Sequence, residues 1–114
     1  MSTEQSEIAD GTLLVRIEKN GDTEVIALCG ELDLANAGTA EGALQGSLSA
    51  GRSVIVDMRE LEFIDSTGIA MLVATLNEDD DGESQIRFIP SSAPAVSRVL
   101  ELTGLTERMP LADA

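Results

Sequence analysis

The chain has no histidine, no tryptophan and no tyrosine, and it carries one cysteine and two phenylalanines in 114 residues. Without histidine, the commonest general acid–base and the commonest metal ligand are both missing. The lone Cys29 excludes an internal disulfide, and its place at the end of an apolar run reads as a small buried hydrophobe. Aromatic content of 2% leaves Leu, Ile, Val, Ala and Met to build the core. Basic residues are scarce too: 7 Lys and Arg stand against 21 Asp and Glu, a net charge of −14. Phosphate backbones and anionic bilayers repel such a surface, so direct nucleic-acid and membrane-headgroup binding are disfavoured. A partner with a basic contact patch is its natural complement. No apolar run approaches ~18 residues, which excludes a membrane-spanning helix. The N-terminal MSTEQSEIAD lacks the basic-then-apolar pattern of a signal peptide, and the expected location is cytoplasmic.

A hydrophobic content of 43% and a mean hydropathy of +0.09 suit one globular domain, expected over residues 11–114 after a flexible tail at 1–10. Leu13, Val15 and Ile17 alternate with wetter neighbours, predicting a strand. Asn20-Gly21 predicts a hairpin turn through two residues that tolerate positive φ. Val25 to Cys29 is apolar without alternation, as in a central strand covered on both faces. Asp33 can cap a helix from about Ala35 to Leu48. Within it Gly38, Gly42 and Gly46 recur every four residues, through close approach to neighbouring backbone or through loose packing.

The chain is organised around the stretch from Val54 to Leu76. The apolar run Val54-Ile55-Val56 is followed by a charged connection and then by Asp65-Ser66-Thr67-Gly68. Ile69, Leu72, Val73 and Leu76 then recur at offsets 0, 3, 4 and 7, one face of a helix. The tetrad is therefore a strand-to-helix connection, and Met71, Ala74 and Thr75 fall on an uncharged outer face suited to docking or to burial under another layer. Ser66 is either one more cap or a hydroxyl held where a phosphate is readily accommodated. Gly68 leaves that loop without a covering side chain.

Past the helix, Asn77 to Glu83 is an acidic loop. Asp79, Asp81 and Gly82 fit a calcium loop begun at Asn77, but Phe88 stands where the bidentate glutamate belongs, so no metal is expected. A strand over Gln85–Ile89 follows, then a helix capped by Ser91 or Ser92 with Pro94 early in it. Val96, Val99, Leu100 and Thr103 form that helix's inner face, Gly104 stops it, and an edge strand is expected near Arg108–Leu111. The alternation of elements predicts an α/β layer with a mostly parallel sheet, its function gathered in loops beyond the strands' carboxyl ends. Gly30–Asp33 and Ile64–Gly68 are those loops and should be neighbours. Catalysis is not expected: a serine nucleophile lacks its base, the G-x-S-x-G elbow is absent, and no phosphate-binding glycine fingerprint implies a cofactor.

Gly30-Glu31-Leu32-Asp33, the run Val54–Met58, and Leu61-x-Phe63-Ile64-Asp65-Ser66-Thr67-Gly68-Ile69 resemble the STAS domain of bacterial anti-sigma factor antagonists. So do Ser91-x-x-Pro94-x-Val96-x-Arg98-Val99-Leu100 and Thr103-Gly104-Leu105, and the resemblance spans about residues 11 to 112. It implies a single STAS-like domain, a mixed sheet with an N-terminal antiparallel hairpin and about three helices. It implies a regulatory protein rather than an enzyme, a monomer or weak homodimer whose partner is an anti-sigma factor serine kinase. That kinase would phosphorylate Ser66, with Thr67, where many relatives have a second serine, as the second candidate. The unphosphorylated form would bind the kinase and release a sigma factor, and a phosphatase would reset Ser66. Glu31, Asp33, Asp65, Thr67, Gly68 and Met71 would then form the partner surface. A scaffold subunit of a stress-signalling assembly and an accessory subunit of a transporter are the alternatives on the same fold. Relatives often carry a final helix for which this chain, ending at Ala114, is short.

Overall fold

A computed structural model describes residues 4–78 and 85–112. The acidic loop expected from Asn77 to Glu83 therefore falls largely outside the described residues. Strands β1 (Glu4–Asp10), β2 (Leu13–Asn20) and β3 (Thr23–Leu32) come first, then α1 (Ala37–Ser49), β4 (Ser53–Asp57) and β5 (Leu61–Ile64). Helix α2 (Ser66–Glu78), β6 (Ile86–Ile89), α3 (Pro94–Leu102) and a single turn, α4 (Leu105–Arg108), complete the order. The sheet runs β1-β2-β3-β4-β6, with β5 also on β3. The first two pairings are antiparallel and the other three parallel. This is the mixed α/β sheet that the sequence predicts, with the antiparallel strands at its N-terminal edge.

The two hairpins obey one rule. Asp10 pairs with Leu13 across Gly11-Thr12, and Asn20 pairs with Thr23 across Gly21-Asp22. The leading glycines sit at φ 61° and 66°, and no other residue type has positive φ among the described residues. Glycine at the first central position is the demand of a tight hairpin turn, so Asn20 itself closes β2 rather than turning the chain. Residues 4–10 are thus strand, not the flexible tail expected at 1–10. Strand β1 is exposed along most of its length, and its pairing with β2 rather than burial explains it.

Strand β3 holds the molecule together because two parallel partners share its far side. Its start, Thr23–Ala27, pairs with β4, and its end, Gly30–Leu32, pairs with β5 across a register shift between Gly30 and Glu31. Gly30, at φ 100°, is required at that bulge: the Thr12 carbonyl oxygen occupies the space a Cβ would need. Leu13, Val15, Ile26, Leu28, Val54, Val56, Ile86 and Phe88 point to the helical side and form the core with Leu44, Leu72, Val96 and Leu100.

The other face of β3 has no helix over it among the described residues. Val25 and Cys29 are half-buried beside Arg16, Glu18 and Ile55, so coverage on both faces, as expected for β3, is corrected to one. Ala27, between them, is buried by the neighbouring strands. At the opposite end of the domain, buried Glu24 is satisfied by Ser47 Oγ at 2.6 Å and Arg52 Nε at 3.2 Å, which ties β3 to the end of α1.

Two further expectations change in detail. The strand predicted near Arg108–Leu111 is the turn α4 followed by one parallel bridge, Phe88 to Leu111. Helix α3 starts from Ala93 with Pro94 in its first turn, because the Ser91 hydroxyl is engaged elsewhere. That hydroxyl donates to the Leu61 carbonyl at 2.7 Å and accepts the Ala93 amide at 3.0 Å.

Candidate functional site

Strands β3 and β5 run parallel and end together, which brings the Gly30–Asp33 and Ile64–Gly68 loops side by side as expected. Asp65 is the joint. Its amide donates to the Leu32 carbonyl at 3.1 Å, and its Oδ2 accepts the Leu34 amide at 3.1 Å. Its Oδ1 accepts the Thr67 and Gly68 amides at 2.9 and 3.0 Å, while its carbonyl accepts the Ile69 amide at 3.0 Å. These bonds make Asp65 the N-cap of α2, an anion at the positive end of the helix.

Capping and exposure are thereby divided between adjacent residues. Ser66 is the first residue of α2 and exposed, and its hydroxyl has no hydrogen-bond partner among the described residues. The hydroxyl is not needed as a cap. Thr67 is half-buried on the side facing α1.

Gly68 serves a different purpose from the open loop expected of it. It is buried, and an added Cβ would lie 2.7 Å from Ile64 Cγ1 and 2.9 Å from Leu32 Cγ. Its bare hydrogen lets the first turn of α2 settle on the ends of β3 and β5. This contact also sets the helix's rotation. Gly68, Met71, Leu72 and Thr75 face inward, and Thr75 Oγ1 donates to the Met71 carbonyl at 2.9 Å. Met71 and Thr75, expected on the outer face, are 5% and 0% exposed. Met71 is thus corrected from an outer docking residue to the floor of the α1–α2 groove. The exposed line is Ser66, Ala70, Ala74 and Asn77, still without charge.

On the other loop, Glu31 is exposed and its carboxylate has no partner among the described residues, whereas Asp33 is half-buried and turned to local work. Asp33 Oδ1 accepts the Ala35 amide at 3.0 Å and its carbonyl accepts the Asn36 and Ala37 amides, so it shapes a turn ahead of α1. The helix begins at Ala37 from Asn36, not near Ala35 from Asp33. Asn36, which sequence reasoning missed, is 1% exposed and locks the loop: its Oδ1 accepts the Asp33 amide and its Nδ2 donates to the Glu31 carbonyl. The signal was present, since Asp and Asn three residues apart favour such side-chain-to-backbone turns. Leu34 was also missed; the residue is 77% exposed, and its amide is the one that Asp65 holds.

Among the described residues no group of acidic or cysteine side chains is arranged to hold a metal, and no helix is long and apolar enough to cross a membrane. The site offers a hydroxyl, an uncharged helix face and flanking carboxylates.

The family model for the Mlab-type STAS domain matches residues 15–112. The chain belongs to the STAS domain family. This STAS domain is 28% identical over 81 residues to the anti-sigma-B factor antagonist of Staphylococcus aureus, covering 70% of this chain and 74% of that one. An anti-sigma factor antagonist from Mycobacterium paratuberculosis superposes with a TM-score of 0.78 at 26% identity, covering 93% of this chain and 90% of the other. The unphosphorylated form of the anti-sigma factor antagonist SpoIIAA shares the fold, with a TM-score of 0.65 at 21% identity over 98% of this chain and 89% of that one. The Staphylococcus aureus and Mycobacterium paratuberculosis relatives both carry the name anti-sigma factor antagonist.

Proposed function

We propose that this STAS domain is an anti-sigma factor antagonist switched by phosphorylation of Ser66. The unphosphorylated form binds an anti-sigma factor that is itself a serine kinase, and the bound kinase gives up its sigma factor. The kinase then transfers the γ-phosphoryl group of ATP to Ser66 Oγ, with ADP leaving and the hydroxyl proton passing to a base on the kinase. The phosphorylated form dissociates, and a phosphatase restores it. The observation that carries this reading is the exposed, unbonded Ser66 hydroxyl beside a carboxylate that already caps α2. The names of the relatives support it, and SpoIIAA from Bacillus has been solved in a phosphorylated form.

The switch follows from where the new charge falls. A phosphoserine adds roughly −1.5 to −2 charge, which the N-terminus of α2 tolerates, so the domain stays folded. The same dianion beside Asp65 must be desolvated when a partner docks on Ala70 and Ala74. A loss of ~3 to 4 kcal/mol weakens binding by a few hundred-fold.

Incubation with the organism's anti-sigma factor kinase and ATP, followed by intact mass and peptide mapping, tests the assignment. One phosphate on Ser66 is expected, with none on the Ser66→Ala variant. Unmodified protein would overturn it, and phosphate on Thr67 would move the switch by one residue.

A further inference from the structure

Beside Ser66, α1 and α2 leave a groove of about 280 Å³ lined by Ala37, Gly38, Glu41, Thr67, Ala70 and Met71. Its floor is apolar, with Ala37 and Met71 each 5% exposed. Glu41 is the one charged residue in the lining, and its carboxylate has no hydrogen bond or ion pair among the described residues. Gly38, on the wall, is exposed. A Cβ there would meet nothing within 4 Å, and its φ is not positive. Packing inside the domain therefore does not require a glycine at this position, in the first turn of α1.

Resting on the reading of Ser66 as the centre of a docking face, we propose that this groove receives an arginine or lysine side chain of the docked kinase. The methylene stem lies over Met71, Ala70 and the bare backbone at Gly38, and the cation reaches Glu41. Long basic side chains have this division into apolar stem and charged head. A purely apolar occupant would strip water from the Glu41 carboxylate without pairing it. An acidic one would meet a chain of net charge −14. The groove includes Thr67, one residue from the switch, so its occupant and a phosphate on Ser66 belong to the same docking edge.

The test titrates the purified anti-sigma factor kinase of the same organism into the whole chain by calorimetry. Gly38→Leu fills the groove and should weaken binding about tenfold or more while melting at or above the wild-type temperature. Glu41→Gln should weaken it about threefold to fivefold and flatten its salt dependence. In a methyl-labelled methionine spectrum, the Met71 signal should move on kinase addition while those of Met58 and Met109, buried elsewhere, stay in place. Wild-type affinity in both variants together with a stationary Met71 signal, while Ser66→Asp still weakens binding, would leave the switch standing and overturn the groove. A wild-type chain that does not bind the kinase at all would overturn both.

Discussion

The Leu34 amide donates to Asp65 Oδ2 at 3.1 Å, across 31 residues of sequence. One carboxylate thus caps the start of α2 and fixes the loop ahead of α1, which holds the Gly30–Asp33 and Ile64–Gly68 loops in a single arrangement. Ser66 projects from that joint without taking part in it.

Substituting Asp65 should therefore damage the fold, while substituting Ser66 should not. Asp65→Ala removes the cap and leaves the Leu34, Thr67 and Gly68 amides without their acceptor, and is expected to cost ~1–3 kcal/mol in urea unfolding. Ser66→Ala should stay within about 0.5 kcal/mol of wild type. A Ser66→Ala variant as unstable as Asp65→Ala would mean that the hydroxyl is structural after all.

The glycines of α1 and α2 should respond with opposite signs. Gly68→Ala forces a Cβ against Ile64 and Leu32, and overpacking of ~1–3 kcal/mol should outweigh the gain in helix propensity. Gly42→Ala meets nothing within 4 Å and should stabilise by ~0.4–1 kcal/mol. Thermal and urea melts of the two variants give the comparison directly.

On the uncovered sheet face, hydrogen bonds from Arg59 hold the Asp57 carboxyl below its usual range, against a smaller opposing effect of burial. A carboxyl depressed in the folded state stabilises above its unfolded pKa, and that contribution is lost as pH falls through the folded value. The stability gap between wild type and Arg59→Ala should accordingly be present at neutral pH and close in acid. A gap that widens on acidification would contradict the pairing.

Cys29 lies on the same face. Burial, aided by the nearby Glu60 carboxylate, pushes its thiol above the ordinary range despite Arg16. Alkylation by iodoacetamide should be slow at neutral pH, with a pH midpoint higher in the native protein than in urea. A midpoint lower in the native state would reveal an activated thiol.

Much of this arrangement was legible from residue order. The apolar run of β4, the tetrad before α2 and the apposition of two loops all follow from apolar patterning and the chemistry of helix starts. What was lost had physical reasons. Strand β1 contains little apolar residue beyond Ile8, so only Asp10-Gly11, the same signal as Asn20-Gly21, announced it. The rotation of α2 is not marked in the sequence, because its first twelve residues carry no charge to show a wet face. Ile69, Leu72, Val73 and Leu76 and the inward set Gly68, Met71, Leu72 and Thr75 share one spacing, and the contact of Gly68 with β3 and β5 decides between them. Asn36 is masked in the sequence because Asp33, three residues earlier, is itself a good capping residue and already accounts for a helix start.

The switch is tested most directly by measuring the affinity of the anti-sigma factor kinase for this chain with Ser66 unmodified and with Ser66 phosphorylated. A few-hundred-fold loss on phosphorylation, with an unchanged melting profile, is the predicted result. Equal affinity of the two forms would contradict the account.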